Sequence, residues 1–136
     1  MNCVGGCLCG AVRYEASTSP LDVGYCHCRM CQKVSGAPVL PWASFSVESF
    51  AYIGRQPQVY RSSAHGQREF CAQCGSQIAF RATDENKTVE INVGTLEDPT
   101  SVCPQYHIWC DSQISWFEIH DDLPRHPRSG PIGEGN

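Results

Sequence analysis

This chain of 136 residues predicts a mainly β fold in one small, metal-stapled domain, and three observations carry that reading. Apolar and polar residues alternate over several short runs, and no window shows the apolar stripe of a long helix. Seven of the ten cysteines fall in three tight clusters, Cys7-Leu8-Cys9, Cys26-His27-Cys28-Arg29-Met30-Cys31 and Cys71-Ala72-Gln73-Cys74. Short C-x-C and C-x-x-C spacings are those that gather thiolates around zinc. A small β domain has many edges to manage and little core, which is where a structural metal contributes most.

In chain order, residues 11–16 alternate with the period of two expected of a half-buried strand. Residues 28–34 are expected as a short helical turn opened by the cysteine knuckle, and residues 39–45 as a strand. A second turn is expected around 47–50, where a serine precedes Val47. Residues 58–61, 68–71 and 76–81 are short, rich in β-branched and aromatic side chains, and bounded by Gly, Pro, Asn or Asp, and so read as strands. Residues 88–94 repeat the clean alternation, and 106–109 and 114–117 complete the set. Strands are short and helical turns few. The expected domain covers residues 1–126, followed by a loose Pro- and Gly-rich tail over 127–136.

Composition excludes several classes. The apolar share of 41% and charged share of 18% are those of a globular protein. A formal net charge of −4 with ten scattered basic residues gives no footprint for a phosphate backbone, so nucleic acid is not an expected partner. No apolar run approaches the roughly 20 residues that span a bilayer, and nothing near Met1 resembles an export signal. The expected location is the cytoplasm, where thiols stay reduced and favour metal over disulfides.

Seven clustered cysteines divide as four plus three. Four thiolates close a tetrahedral structural site, whereas three keep a position open for water or substrate. Cys9 and Cys74 each precede a glycine, which permits the positive φ of a turn wrapped around a metal, while Cys31 precedes Gln32. On that difference Cys7, Cys9, Cys71 and Cys74 form the structural site, and Cys26, Cys28 and Cys31 the open one. Two other readings stand beside it. Cys28 and Cys31 pair with Cys71 and Cys74 and leave Cys7, Cys9 and Cys26 over, or a single zinc is bound and the remaining cysteines are buried thiols.

These residues resemble the glutathione-dependent formaldehyde-activating enzymes, a family that also contains centromere protein V. The resemblance runs from Gly6-Cys7-Leu8-Cys9-Gly10 through Cys26-His27-Cys28, Cys31 and Ser35-Gly36-Ala37-Pro38 to Tyr60-Arg61-Ser62-Ser63. It continues over Arg68-Glu69-Phe70-Cys71-Ala72-Gln73-Cys74-Gly75-Ser76, His107-Ile108 and Trp116-Phe117-Glu118-Ile119, and ends at Asp121-Asp122-Leu123-Pro124. It implies a β-tent fold, a structural zinc on Cys7, Cys9, Cys71 and Cys74, and a second, more labile zinc on Cys26, Cys28 and Cys31, which would be the catalytic residues. The implied activity is that of a carbon–sulfur lyase run in reverse, adding the glutathione thiol to formaldehyde to give S-(hydroxymethyl)glutathione. Zinc would lower the pKa of the thiol and polarise the aldehyde. The implied partners are a small-molecule thiol, glutathione, and a small aldehyde, with two Zn²⁺ per chain. A noncatalytic thiol carrier and a zinc-stabilised interaction domain are the readings from other classes.

Other residues carry less. His27, between two proposed ligands, is a candidate fourth ligand or base, but the middle side chain of a C-x-C chelate is expected to point away from the metal. His107 sits in an apolar strand pattern, as a core histidine or a proton-transfer residue. Ser35-Gly36-Ala37-Pro38 reads as a turn or as backbone that admits a peptide-like ligand, and Arg29, Lys33 and Arg61 as surface charges or partners of ligand carboxylates. Cys3, Cys103 and Cys110 read as reduced thiols. A reductase of the methionine sulfoxide type would need Cys103 or Cys110 as nucleophile, and the residues around them do not support it.

Overall fold

The structure, a computed structural model, describes residues 2–130. The chain is mainly β, in the order β1 (Cys3–Gly6), β2 (Arg13–Ala16), β3 (Asp22–Cys26), α1 (Arg29–Ser35), β4 (Leu40–Ser46), β5 (Phe50–Tyr52), β6 (Gln58–Ser63), β7 (Gly66–Phe70), β8 (Gln77–Ala82), β9 (Thr88–Asn92) and β10 (His107–Ile108). Short 3₁₀ turns occupy Val47–Ser49, Val93–Thr95, Pro99–Ser101 and Cys110–Ser112. Two compact units share the chain, one built from the residues up to Asp22 with Ala43–Val102, the other from Val23–Trp42 with the residues from Cys103. Among the described residues no helix is long and apolar enough to cross a membrane.

In the first unit β1, β2 and β5 form an antiparallel sheet with Cys3 opposite Ala16 and Tyr14 opposite Tyr52. The larger sheet runs β4-β9-β8-β7-β6 here, and its last four strands form an antiparallel meander. The predicted alternation is the observed burial. In β9 Val89 and Ile91 are buried while Thr88, Glu90 and Asn92 face partly outward, and in β2 Tyr14 and Ala16 are the inward pair. With Val12, Phe45 and Ile78 they make the core, each side chain fully buried and each large aliphatic one contributing roughly 1.5–3 kcal/mol.

In the second unit β10 lies parallel to β3, with His107 opposite Tyr25 and Ile108 opposite Cys26, in the order β10-β3-β4. α1 follows β3 after two residues. Its N-cap is Cys28 and its C-cap Gly36, whose N–H returns to the Gln32 carbonyl. The His107 N–H donates to the Pro124 carbonyl and the His126 N–H to the His107 carbonyl, both at 2.9 Å, so the C-terminal segment runs along β10.

Three strands escape the sequence pattern, and glycine is the reason for two. β1 and β3 contain Gly5, Gly6 and Gly24, and glycine is depleted in strands because it has no side chain to pack. Here it is required. A side chain at Gly5 would collide with the Tyr14 hydroxyl and the Thr95 carbonyl, and one at Gly24 with the Trp42 ring. β5 is only three residues long. The expected strand over 114–117 is instead a turn, closed by the Phe117 N–H on the Ile114 carbonyl at 3.1 Å and by the Gln113 amide on the Phe117 carbonyl at 2.8 Å. Its aromatic composition imitates a strand, but Trp116 is 76% exposed and no face is buried. Of the expected loose tail, Pro127 to Gly130 are tied down: the Trp109 N–H donates to Arg128, the Asp111 N–H to Pro127, and Gly130 is buried beside the Tyr106 ring. Residues 131–136 of that tail lie outside the described residues.

Glu90 on β9 is a half-buried polar group on the face opposite Val89 and Ile91. Its Oε1 accepts from Ser44 (3.2 Å) and Thr88 (3.1 Å), while its Oε2 is buried without a partner among the described residues. Burial pushes its carboxyl above the usual range, against the pull of Thr88 and Ser44. The folded state therefore holds this proton to higher pH than the unfolded chain, and stability falls as pH rises from the ordinary carboxyl range through the raised value. Glu90→Gln does not titrate. Urea midpoints measured from about pH 4 to about pH 8 should move in the variant's favour with rising pH, and a constant difference between the two proteins would refute the assignment.

Candidate metal centres

Two antiparallel connections supply the first group of sulfurs, all within the first unit. Cys7-Leu8-Cys9-Gly10 opens the link from β1 to β2, held by the Cys7 N–H on the Val12 carbonyl (3.0 Å) and the Gly10 N–H on the Cys7 carbonyl (3.1 Å). Cys71-Ala72-Gln73-Cys74-Gly75 turns β7 into β8, held by the Gly75 N–H on the Cys71 carbonyl (2.8 Å) and the Cys71 N–H on the Ser76 carbonyl (3.0 Å). Gly10 and Gly75 have φ of 82° and 80°, the left-handed region the Cys-Gly pairs predict. The Leu8 N–H donates to the Ser76 hydroxyl at 3.0 Å and joins the two turns.

The sulfurs of Cys7, Cys9, Cys71 and Cys74 all lie within 4.8 Å of one another. Cys7 is 3.6 Å from Cys9, and Cys9 is 3.8 Å from Cys71. Backbone N–H groups point at the buried sulfurs: Val12 at Cys7 (3.2 Å), and Gln73 and Cys74 at Cys71 (3.4 Å each). The crowding splits the thiols. The Ser76 hydroxyl, 3.2 Å away, and nearby backbone N–H groups pull Cys74 down to about 5. At Cys9 the Ala11 N–H favours the thiolate, but desolvation and the sulfurs of Cys7, Cys74 and Cys71 outweigh it and push the thiol up to about 11. Four sulfurs this close cannot all ionise unless a cation joins them. The group could hold a metal ion.

Cys26, Cys28 and Cys31 form the second group, with all three sulfurs within 4.8 Å, in the second unit. Cys26 ends β3, Cys28 caps α1 and Cys31 lies one turn in, so each sulfur is set by a regular element. The Cys31 N–H donates to the Cys28 sulfur at 3.3 Å, and the Cys31 and Cys26 sulfurs are 3.3 Å apart. Cys28 and Cys31, then burial, push the Cys26 thiol far up. This group too could hold a metal ion. Among the described residues Cys71 and Cys74 gather with Cys7 and Cys9 rather than with Cys28 and Cys31.

The His27 ring lies outside the cluster of donor atoms. It is fully buried, and its Nε2 meets Nδ1 of the equally buried His107 at 2.9 Å. His107 Nε2 meets Asp121 Oδ2, also at 2.9 Å. Ser35 and Gly36 close α1, with the Ser35 hydroxyl on the Cys31 carbonyl at 2.7 Å. Arg29 donates to the Gln32 side chain and Arg61 to the Ala64 carbonyl. Cys3 is buried in β1, Cys110 half-buried and Cys103 exposed. Sequence reasoning missed Ser76, Gln32 and Asp121. Ser76 had a signal in its place directly after Cys-x-x-Cys-Gly, whereas Asp121 is 14 residues from the histidine it meets and only the fold pairs them.

Comparison with known proteins decides the family. The profile of the glutathione-dependent formaldehyde-activating enzymes matches residues 2–112. The chain belongs to this family. Among its relatives is an uncharacterized lyase of Schizosaccharomyces pombe, 29% identical over 118 residues, covering 85% of this chain and 83% of the relative. A Halomonas elongata protein provisionally named a glutathione-dependent formaldehyde-activating enzyme is 22% identical over 124 residues, covering 85% of this chain and 79% of its own. The crystal structure of a Rhodobacter sphaeroides protein shares the fold, with a TM-score of 0.58 at 21% identity over 72% of this chain and 93% of that one.

In this member of the formaldehyde-activating family the Cys-Gly turns can be tested directly. Nothing lies within 4 Å of where a Cβ would stand at Gly75, so Gly75→Ala adds no collision and only a left-handed backbone strain. It should destabilise by about 1–2 kcal/mol in chemical denaturation. A variant as stable as the parent would show that the turn relaxes at no cost.

Proposed function

We propose that the chain is a zinc-dependent enzyme of the carbon–sulfur lyase type, acting on glutathione adducts of formaldehyde or a related small aldehyde, with Cys26, Cys28 and Cys31 as its catalytic metal ligands. The observation that carries this reading is the group of three sulfurs, separate from a group of four, in a member of the formaldehyde-activating family. The lyase name of the yeast relative supports it.

The donor sets suit zinc. Tetrahedral bonds of about 2.3 Å place sulfurs about 3.8 Å apart, and the group of four already shows 3.6 and 3.8 Å. Cys26 and Cys31, at 3.3 Å, would part by about 0.5 Å. Cys7, Cys9, Cys71 and Cys74 would close the coordination and serve the fold. Zinc held by only three thiolates keeps one position free and supplies there a lowered thiol pKa and a polarised carbonyl. In the reaction the glutathione S–H adds across the C=O bond of the aldehyde. A C–S bond forms, the C=O double bond becomes single, and the thiol proton ends on the new hydroxyl oxygen.

The chain's own part is to hold the sulfurs. Cys26 is fixed by the pairing of β3 with β10, and Cys28 and Cys31 by the first turn of α1. The Cys31 N–H donates to the Cys28 sulfur at 3.3 Å and fixes it at the start of α1. Three thiolates leave the metal site with a charge of about −1 against −2 for four, so the second site accepts a further anionic sulfur more readily.

Cys28→Ser is the decisive variant, because serine is itself a good helix N-cap and should keep α1 intact. Elemental analysis should give two zinc per chain for the wild type and one for the variant. Exchange between free and glutathione-bound formaldehyde, followed by NMR, should be accelerated only by the wild type. Wild-type exchange rates in the variant would sink the catalytic assignment. Saturable glutathione binding without faster exchange in the wild type would make the protein a thiol carrier.

A further inference from the structure

We infer that Asp121 and His107 are positioning residues that clamp the Cys26-His27-Cys28 segment and so keep the second metal in its three-sulfur seat. The inference rests on the metal reading proposed above. His27 stands between two of the ligands, so whatever holds its ring and its peptide groups also holds the sulfurs on either side. All three are held. Its N–H donates to the Ile108 carbonyl at 3.1 Å. Its carbonyl accepts from the Gln32 amide at 2.7 Å, and the same nitrogen reaches the Ser112 carbonyl at 3.1 Å. Its ring meets that of His107 edge to edge, with centroids 5.1 Å apart and the ring planes 22° from parallel, and the 2.9 Å contact joins Nε2 to His107 Nδ1.

Beyond His107 the chain of contacts ends on a carboxylate. Asp121 meets His107 Nε2 at 2.9 Å and is itself oriented by the Leu123 N–H and by Arg125, both at 3.0 Å. Arg125 also reaches the Leu123 and Ile119 carbonyls, at 3.0 and 2.7 Å, which fixes the segment that carries Asp121.

The charged end gives the chain a direction. A carboxylate only accepts, so His107 carries its hydrogen on Nε2 and offers the lone pair of Nδ1, and His27 must donate from Nε2. That leaves His27 Nδ1 as a lone pair, buried and without a partner among the described residues. The reverse arrangement would bury an N–H with no acceptor, and an orphaned donor is the rarer and costlier defect. Asp121 thereby selects one ring orientation of His27, since rotating that ring would withdraw Nε2 from His107. Groups that orient the surroundings of a metal in this way typically change its affinity about 10–100-fold when removed.

Zinc transfer from the fully loaded chain to a chromogenic chelator tests the clamp. Wild type should release its metal in two phases, slow from the four-sulfur group and fast from the three-sulfur group. His107→Phe keeps a ring against Tyr25 and His27 but removes both hydrogen bonds, and should speed the fast phase about 10–100-fold while leaving the slow phase unchanged. His107→Asn, with an acceptor near the Nδ1 position, should recover part of the loss. In cobalt-loaded protein the visible bands of the three-sulfur site should shift in the Phe variant and return towards wild type in the Asn variant. Asp121→Asn provides the same reading if the Phe variant does not fold, because Asp121 is partly exposed and lines an open cavity of about 370 Å³. Wild-type release kinetics and cobalt spectra in both His107→Phe and Asp121→Asn overturn the clamp alone. A wild type that takes up only one metal overturns the three-sulfur site, and the clamp with it.

Discussion

Sulfur crowding is the constraint on which both sites depend. Seven cysteines are drawn into two groups whose sulfurs lie within 4.8 Å of one another, and thiolates at that separation repel strongly unless a cation lies among them. The opposite displacements of Cys74 and Cys9 show the conflict inside one group: a hydroxyl and backbone N–H groups favour charge on one sulfur, and its neighbours then suppress it on another. In the other group Cys26 bears the conflict, pressed by two sulfurs and by burial. A bound cation would resolve both conflicts at once, which ties metal affinity to the stability of the turns that bring the sulfurs together.

Those turns are made cheaply in sequence terms. Each half of the four-sulfur group needs only a short connection between antiparallel strands, a glycine able to adopt positive φ, and backbone N–H groups aimed at sulfur. The strands on either side do the rest, through ladders and a small core of Val12, Tyr14, Phe45, Ile78, Val89 and Ile91. The three-sulfur group is built differently. It uses the end of a strand, a helix cap and one helical turn, so its geometry depends on where β3 stops and on how the chain enters α1.

Polar burial separates the two units in character. In the first, Glu69 is nearly buried and satisfied by Arg81 at 2.7 Å, Tyr52 at 2.5 Å and Gln67 at 2.9 Å, a network that fixes the meander without touching a cysteine. In the second, the buried polar side chains among the described residues are His27, Gln32 and His107, and they abut the metal-ligand segment itself. The same physical demand, that a buried polar atom find a partner, thus serves the fold in one unit and the candidate site in the other.

Local physics was legible in the residues. Period-two alternation marked β2 and β9 because burial on one face repeats every second residue, Ser46 marked the turn at Val47, and the Cys-Gly pairs marked two left-handed turns because few other residues adopt that φ. The strands β1 and β3 were not legible, since Gly5 and Gly24 are explained only by the Tyr14, Thr95 and Trp42 atoms that approach them. Residues 114–117 misled for the converse reason, a strand-like composition with no sheet to bury it. Chemistry that depends on short spacing, the gathering of thiols within Cys7-Leu8-Cys9, within Cys26 to Cys31 and within Cys71 to Cys74, was therefore determined by sequence alone, whereas the approach of Cys9 to Cys71 across 62 residues was not. The meeting of His27 with His107 across 80 residues, and of His107 with Asp121 across 14, was decided only by the tertiary structure. Hydrogen bonds between distant residues leave no periodicity in a chain, and only the folded packing brings their partners within reach.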